Sequence, residues 1–408
     1  MKRRVYLDHL AGTPLAAEVR EAMRPFLEER FGSANSLHSH GLAAREAIDT
    51  AREQCAELIN GTPREILFTG SATEANNLAV KGVALAQRER GNHIVLSNIE
   101  HPSIDQSVAW LEDNGFSATR GPVDGEGLLA PKDIAQATTD QTVLIATHHA
   151  NHDLGTVQDI SAIGAMAAER GIPFFVDATA AGGWLPVDLQ TTNVSLLSLA
   201  PHRFHGPQGV GVLYRNRRVP LTPQMHGGVQ EDGLRAGTEN IMAIAGAGAA
   251  AALAIPAHIA NLQLKLHEGL LNRIEHIRLN GPKPGPGRLP TQLNYSIEHI
   301  EGEGLALALG LERLISQSKE RVMPDSFIDG LKKAWNGDST GKQALAYCDE
   351  SGGSVGHIFK AGIRRMKKGR VAVEKAIDDV GSREADKMKR SLRPLRNIAM
   401  VAPLLGLL

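Results

Sequence analysis

Short apolar runs alternate with helical periodicity from about Ala17 to Pro186, and that alternation most limits what this chain can fold into. Ile66–Thr69, Ile94–Ser97, Val143–Thr147 and Phe174–Val176 read as buried strands. Between and before them, residues 18–30, 42–60, 75–87 and 161–170 carry the spacing of helices. Strands separated by helices at this interval build an open, mostly parallel α/β sheet covered on both faces. Ligands of such sheets gather at the carboxyl ends of the strands. A long Ala/Gly-rich stretch, Ile241–Ile255, predicts a close-packed helix leading from a large domain to a smaller one. The Pro/Gly loop Gly281–Gly287 and a more charged region after Gly310 follow it.

At 408 residues the chain can bury a large core and support two domains. Its 42% apolar and 22% charged content is that of a globular protein, and the net charge of −1 gives no support for nucleic-acid or membrane partners. The basic run Arg364-Arg365-Met366-Lys367-Lys368-Gly369-Arg370 reads as a solvated face. The start at Met1 is basic but lacks the apolar stretch of a secretion signal, and the apolar end 398–408 is too short to cross a bilayer. Two cysteines, Cys55 and Cys348, both in helical contexts, exclude a disulfide framework and fit a reducing compartment, so a cytoplasmic location is expected. No metal site is indicated.

Several strings carry candidate chemistry. Thr69-Gly70-Ser71-Ala72-Thr73-Glu74-Ala75-Asn76-Asn77 joins a strand to a helix through small residues. Backbone amides at such a helix start can hold an anion, or Ser71 or Thr73 can simply cap the helix. Asp177 closes the apolar run Phe174-Phe175-Val176, where an acid serves a ligand, a cap or an ion pair equally well. His101, in Ile99-Glu100-His101-Pro102-Ser103, follows a strand, a place where a histidine more often serves structure.

Together with Ala150-Asn151-His152-Asp153-Leu154-Gly155, Ser198-Leu199-Ala200-Pro201-His202-Arg203-Phe204-His205-Gly206-Pro207-Gln208-Gly209 and Glu231-Asp232-Gly233-Leu234-Arg235-Ala236-Gly237-Thr238, these strings resemble, in order, the motifs of the cysteine desulfurases. The resemblance begins at Tyr6-Leu7-Asp8, is strong to about Glu303 and thin over 310–362. It implies the pyridoxal-phosphate (PLP) dependent transferase fold of the aspartate aminotransferase type. The large α/β domain would span residues 15–255, and residues 1–14 with 256–408 would form a smaller α+β domain. It further implies a phosphate pocket at Ala72 and Thr73, His101 stacked on the cofactor ring and Asp177 paired with the pyridinium nitrogen. Asn151 would meet the ring hydroxyl and His202 would line the cofactor. Thr238 would reach the phosphate of a neighbouring subunit in a homodimer, and Arg365 would bind a substrate carboxylate.

The departures are as informative. Where the family has the lysine that forms the Schiff base with PLP, this chain has Arg203, whose guanidinium offers no nucleophilic amine. Ala200, Gln208, Ala180, His152, Asp153, Asp232 and Lys367 replace other motif residues. The family's mobile loop cysteine, expected after Glu301-Gly302-Glu303-Gly304-Leu305, has no counterpart in 315–324. Three expectations follow. One is a non-catalytic or regulatory relative in sulfur or iron–sulfur metabolism. It would bind PLP non-covalently, if at all, and associate with a sulfur acceptor, a scaffold or an intact paralogue. The second is an active cysteine desulfurase, turning L-cysteine into L-alanine and a persulfide. The third is altered, lysine-independent chemistry with His101, His202 or His205 as base.

Overall fold

The computed structural model describes residues 6, 8–253, 258–298, 326–336, 340–351 and 353–384. The motif residues 301–305, the loop 315–324 and the apolar end 398–408 lie outside the described residues. The chain divides into two compact units, Met1–Ser296 and Ile297–Leu408.

The first unit is built on a seven-stranded sheet. Its strands are β1 (Ile66–Thr69), β2 (His93–Ser97), β3 (Ser117–Gly121), β4 (Thr142–His148), β5 (Phe174–Asp177), β6 (Leu196–Leu199) and β7 (Gly211–Arg215), in the order β1-β7-β6-β5-β4-β2-β3. Only β7 runs against the others, pairing antiparallel with both β1 and β6. Both faces are covered, as the unbroken apolar runs require. In β2, Val95 points into one buried cluster while Ile94 and Leu96 point into the other, the period-two alternation of a strand.

Among the described residues of this unit there are ten α-helices. They are α1 (Ala17–Met23), α2 (Pro25–Glu28), α3 (Ser39–Leu58), α4 (Ala72–Ala86), α5 (Pro102–Asp113), α6 (Pro131–Ala137), α7 (Ile160–Glu169), α8 (Leu189–Thr192), α9 (Ile241–Ala252) and α10 (His258–Leu271). The helix expected over 18–30 is split at Arg24, because Pro25 has no N–H to continue the ladder. The Ala/Gly pattern of α9 has a direct packing cause. A Cβ on Gly248 would lie 2.5 Å from the Ala51 Cα of α3, so only glycine lets the two helices approach. Strands β8 (Ile277–Asn280) and β9 (Asn294–Ile297) form a separate two-stranded sheet.

In the second unit most described residues are helical: α11 (Phe327–Trp335), α12 (Lys342–Ser351), α13 (Gly353–Arg365) and a further helix over 370–384. Phe327, Leu331, Ala344 and Cys348 form its buried cluster, backed by Tyr347, Phe359 and Ile363. The basic residues Arg364, Arg365, Lys367, Lys368 and Arg370 are exposed, as a solvated face should be. No described helix is long and apolar enough to cross a membrane.

One contact ties the sheet to the start of α4. A Cβ on Gly211, the first residue of β7, would sit 2.3 Å from the Ser71 carbonyl carbon and 2.6 Å from the Ala72 nitrogen. Both neighbours are backbone, so neither can swing aside. Gly211→Ala is therefore expected to lower stability by about 1–3 kcal/mol through overpacking, measured by denaturant unfolding. An unchanged midpoint would show that the helix start has room to move.

Candidate functional site

The carboxyl ends of β1, β2, β4, β5 and β6 open on one edge of the sheet, and five of the motif segments leave from them. β1 leads through Gly70 into α4. Ser71 is the N-cap, its Oγ accepting the Glu74 N–H at 3.1 Å, while the Glu74 carboxylate accepts the Gly70 N–H at 2.7 Å. Of the two readings of this string, capping by Ser71 is thus realised. Ala72 is buried and Thr73 is exposed at the first turn, where the positive end of the helix dipole lies.

Asp177 ends β5 and is 2% exposed. A buried carboxylate must find donors, and two meet it: the Thr179 N–H at 2.8 Å and Asn76 Nδ2 at 3.0 Å. The second hydrogen of Asn76 Nδ2 goes to Ser103 Oγ at 2.8 Å. Ser103 in turn meets His101 Nδ1 with both its hydroxyl, at 2.7 Å, and its backbone N–H, at 3.1 Å. A backbone N–H can only donate, so Nδ1 carries the lone pair and the neutral His101 ring keeps its proton on Nε2. Burial lowers the proton affinity of His101, and the nearby His152 and Arg203 add to this, while Asp177 and Asp153 oppose it. His152 meets the His101 ring edge-on at 5.1 Å. Asn76 and Ser103, the links between Asp177 and His101, carry no signal of their own in the sequence. Only the return of an amide and a hydroxyl at the starts of α4 and α5 hints at them.

Asn151 lies in the turn after β4. Its Oδ1 accepts the N–H groups of Asp153 and Leu154 at 3.0 and 2.8 Å, and its Nδ2 reaches the Ile99 carbonyl at 3.1 Å. One amide hydrogen remains for a ligand. The same turn is clamped from the other side, where Leu289 N donates to Gly155 O at 2.7 Å and Arg288 Nη2 to Leu154 O at 2.6 Å. Beneath it, Gln158 accepts the Leu129 N–H and donates to Gly127 O, which fixes its amide. Its remaining contact, 3.0 Å to His148 Nε2, therefore places the His148 proton on Nδ1, facing Glu100 at 2.9 Å.

After β6 a short 3-10 turn, Pro201–Arg203, brings His202 and Arg203 to the same edge. The backbone here is fixed independently of the side chains. The His202 carbonyl accepts the Thr13 N–H at 2.8 Å, and the Arg203 carbonyl accepts Trp184 Nε1 at 2.8 Å. His202, like His101, loses proton affinity through burial and through Arg203. The Arg203 guanidinium is desolvated, which opposes its charge, and Asp177 is the carboxylate that offsets this. No hydrogen bond joins the two: Arg203 Nε and Nη1 are buried without any partner. An unpaired buried donor costs roughly 1–3 kcal/mol, so this arginine is poorly explained as a structural group.

Thr238 is exposed on the loop before α9. Glu231 pins that loop to β1 by accepting the Phe68 N–H at 3.0 Å and pairing with Arg52 at 2.9 Å. Arg365 ends α13 in the second unit and is exposed. Thus His101, Asp177 and Arg203 are brought together, with Asn151 and His202 on the same edge. Neither thiol is near a reactive state. Burial pushes Cys55 up to about 12 and raises Cys348 as well, while a reactive cysteine needs a depressed value.

His149, 5% exposed, has its proton affinity lowered to about 4 by burial and then by His148. The unfolded chain takes up a proton at this histidine below about 6.5, and the folded chain does not until about 4. Stability should therefore fall as pH drops from 6.5 towards 4, by about 3 kcal/mol from this residue. His149→Gln is expected to flatten that part of the stability–pH curve in denaturant titrations. An equally steep curve in the variant would assign the slope elsewhere.

Residues 5–317 match the family described as aminotransferase class-V. The cysteine desulfurase IscS of Dictyoglomus turgidum is 42% identical over 318 residues, covering 76% of this chain and 80% of the relative. The protein of the same name from Methanosarcina thermophila is 36% identical over 405 residues, covering 98% and 94%. Among solved structures, a NifS-like protein aligns with a TM-score of 0.72 at 33% identity over 76% of this chain and 86% of its own. A structure described as SspA in complex with cysteine aligns at 0.68 and 35% identity, over 76% and 87%. Fold, motif order and sequence agree: the chain belongs to the class V aminotransferase family, a PLP-dependent family, and its homologues include the IscS and NifS-type cysteine desulfurases.

Proposed function

We propose that this protein is a cysteine-desulfurase homologue that has kept the cofactor edge of the fold and lost desulfurase turnover, acting instead through association in sulfur or iron–sulfur metabolism. The observation that carries this reading is Arg203, a desolvated guanidinium with Nε and Nη1 unpaired, at the motif position of the covalent lysine. The remaining residues fit PLP held without a covalent bond. Asp177 is a buried carboxylate at a strand end, the first turn of α4 offers free N–H groups beside Ala72 and Thr73, and Asn151 keeps a spare donor. When bound, PLP supplies an electron sink for bond breaking next to an amine. What this chain adds is a neutral His101, oriented by Ser103 and able to donate from Nε2. What it lacks is an amine at 203 to hold and exchange the cofactor, and an activated thiol to take sulfur.

Association is supported by apolar side chains left exposed on one chain, Phe31 at 79%, Leu37 at 90% and Val229 at 82%. A homodimer, or a heterodimer with an intact paralogue to which Thr238 would contribute, covers such residues. A sulfur-acceptor or scaffold protein is the partner class the family suggests. The two free, buried cysteines fit a reducing compartment, and we place the protein in the cytoplasm.

The second reading, an active desulfurase, is favoured by the names of the relatives at about 40% identity. The two separate in one assay of the full chain with PLP and L-cysteine. The expected result is no alanine release above the protein-free control and no persulfide on the chain. Arg203→Lys is expected to bind PLP covalently, still without sulfur transfer. Alanine formed in step with protein concentration by the unaltered chain would establish the active reading.

A further inference from the structure

Under the turn that carries Asn151 lies a buried histidine that the reading above leaves without a task. His148 closes β4 beside Asp177 of β5, its partner in the sheet register, and both residues are buried. The charged or titratable groups that act on its ring are Glu100, from the segment after β2, Asp177, and its chain neighbour His149. Burial opposes charge on the ring. Glu100, by its charge and its 2.9 Å contact with Nδ1, and then Asp177 more than offset this, so the two carboxylates favour a protonated ring. Glu100 Oε1 is met as well by Ser97 Oγ and by Thr147 Oγ1, the latter at 3.2 Å, which fixes it against Nδ1.

The other ring nitrogen meets a donor. Gln158 is held at its backbone, where its N–H reaches the His149 carbonyl at 2.9 Å and its carbonyl accepts the Ile160 N–H at 3.0 Å. Two more backbone groups orient its amide: Oε1 accepts the Leu129 N–H and Nε2 donates to the Gly127 carbonyl, both at 2.8 Å. The second Nε2 hydrogen therefore points at His148 Nε2, 3.0 Å away, where only a lone pair can receive it. A proton on that nitrogen would set donor against donor. Turning the amide over would relieve this, but it would oppose two N–H groups at Leu129 and two oxygens at Gly127. Buried polar groups would then be left without partners.

We propose that Gln158 is a positioning residue for charge: it holds His148 neutral against the two carboxylates, and so reserves the charge of Asp177 for His101 and Arg203. Burial works against charge on both of those side chains, and Asp177 offsets it at each. A charged His148 would share that carboxylate from within the sheet and weaken its hold on the other two. The inference concerns groups of the chain alone, so it stands whether or not the edge takes a cofactor.

The test is long-range proton–nitrogen NMR of the full chain labelled with nitrogen-15 at histidine, without ligand, from about pH 8 to about pH 6, a range that spans the ordinary imidazole value. The two rings are assigned from the signals lost in His148→Asn and His101→Asn. The expected His148 spectrum shows a protonated Nδ1 and a bare Nε2, unchanged over the range. Gln158→Glu puts an acceptor where the amide N–H stood. His148 should then carry both protons throughout, and His101 should take up its proton at lower pH than in the unaltered chain. Gln158→Leu, which removes the donor and adds no charge, should let His148 gain its second proton within the range and move His101 in the same direction. A glutamine that only braced the 127–129 segment would leave His148 charged by its carboxylates in the unaltered chain. A doubly protonated His148 there, a bare Nδ1, or a ring that stays neutral in both variants would overturn the inference. A His101 titration that neither variant moves would overturn the part that concerns Asp177. Should one variant not fold, the other and the unaltered chain decide.

Discussion

A carboxylate at the closed end of a parallel strand has to be paired, and the edge described above is organised by the pairing of Asp177. Its two donors come from different elements, the Thr179 backbone and Asn76 of α4. Asn76 passes the link to Ser103, and Ser103 to His101 at the start of α5. Three segments, the β5 turn, α4 and the start of α5, are thereby registered against one charge. The close approach of Gly211 to Ser71 and Ala72 sets where α4 begins and so where Asn76 stands. Loss of any donor would leave a buried, under-satisfied carboxylate, a large penalty at low local dielectric.

Against that ordered network Arg203 stands out. The family's chemistry needs an amine that can lose its proton, attack an aldehyde and be displaced again. A guanidinium does none of these, and its Nε and Nη1 are buried without acceptors. Asp177, Asn76, Ser103 and His101 form one connected network beside it. Both thiols, meanwhile, are buried, and that burial outweighs the charges of Arg52 near Cys55 and Lys360 near Cys348. On the proposed reading, the two requirements of sulfur transfer, a covalent anchor and a nucleophilic sulfur, are missing for separate physical reasons.

Much of this was legible in the residues. Unbroken apolar runs such as Phe174–Val176 announce strands buried on both faces, and the strand ends locate Asp177, His101 and Asn151 without coordinates. β6 and β7 are less visible: Leu196–Leu199 and Gly211–Arg215 are short and follow one another without a helix, so periodicity alone could not assign their pairing. The reversed direction of β7 emerges only from its pairing with β1 and β6. The engagement of Asn151 within its own turn was hidden for a related reason, since an asparagine reads alike whether it serves a ligand or caps local N–H groups. The orphaned state of Arg203 is a property of burial, which no motif records.

The central claim is that this site holds its cofactor without a bond to the chain. Intact-mass and peptide analysis after incubation with equimolar PLP and borohydride reduction tests it most directly. The account predicts an unmodified site, with no pyridoxyl group on any peptide lining the strand ends. A stoichiometric pyridoxyl adduct on one lysine near that edge would mean that another amine has taken the place of the family's, and would contradict it.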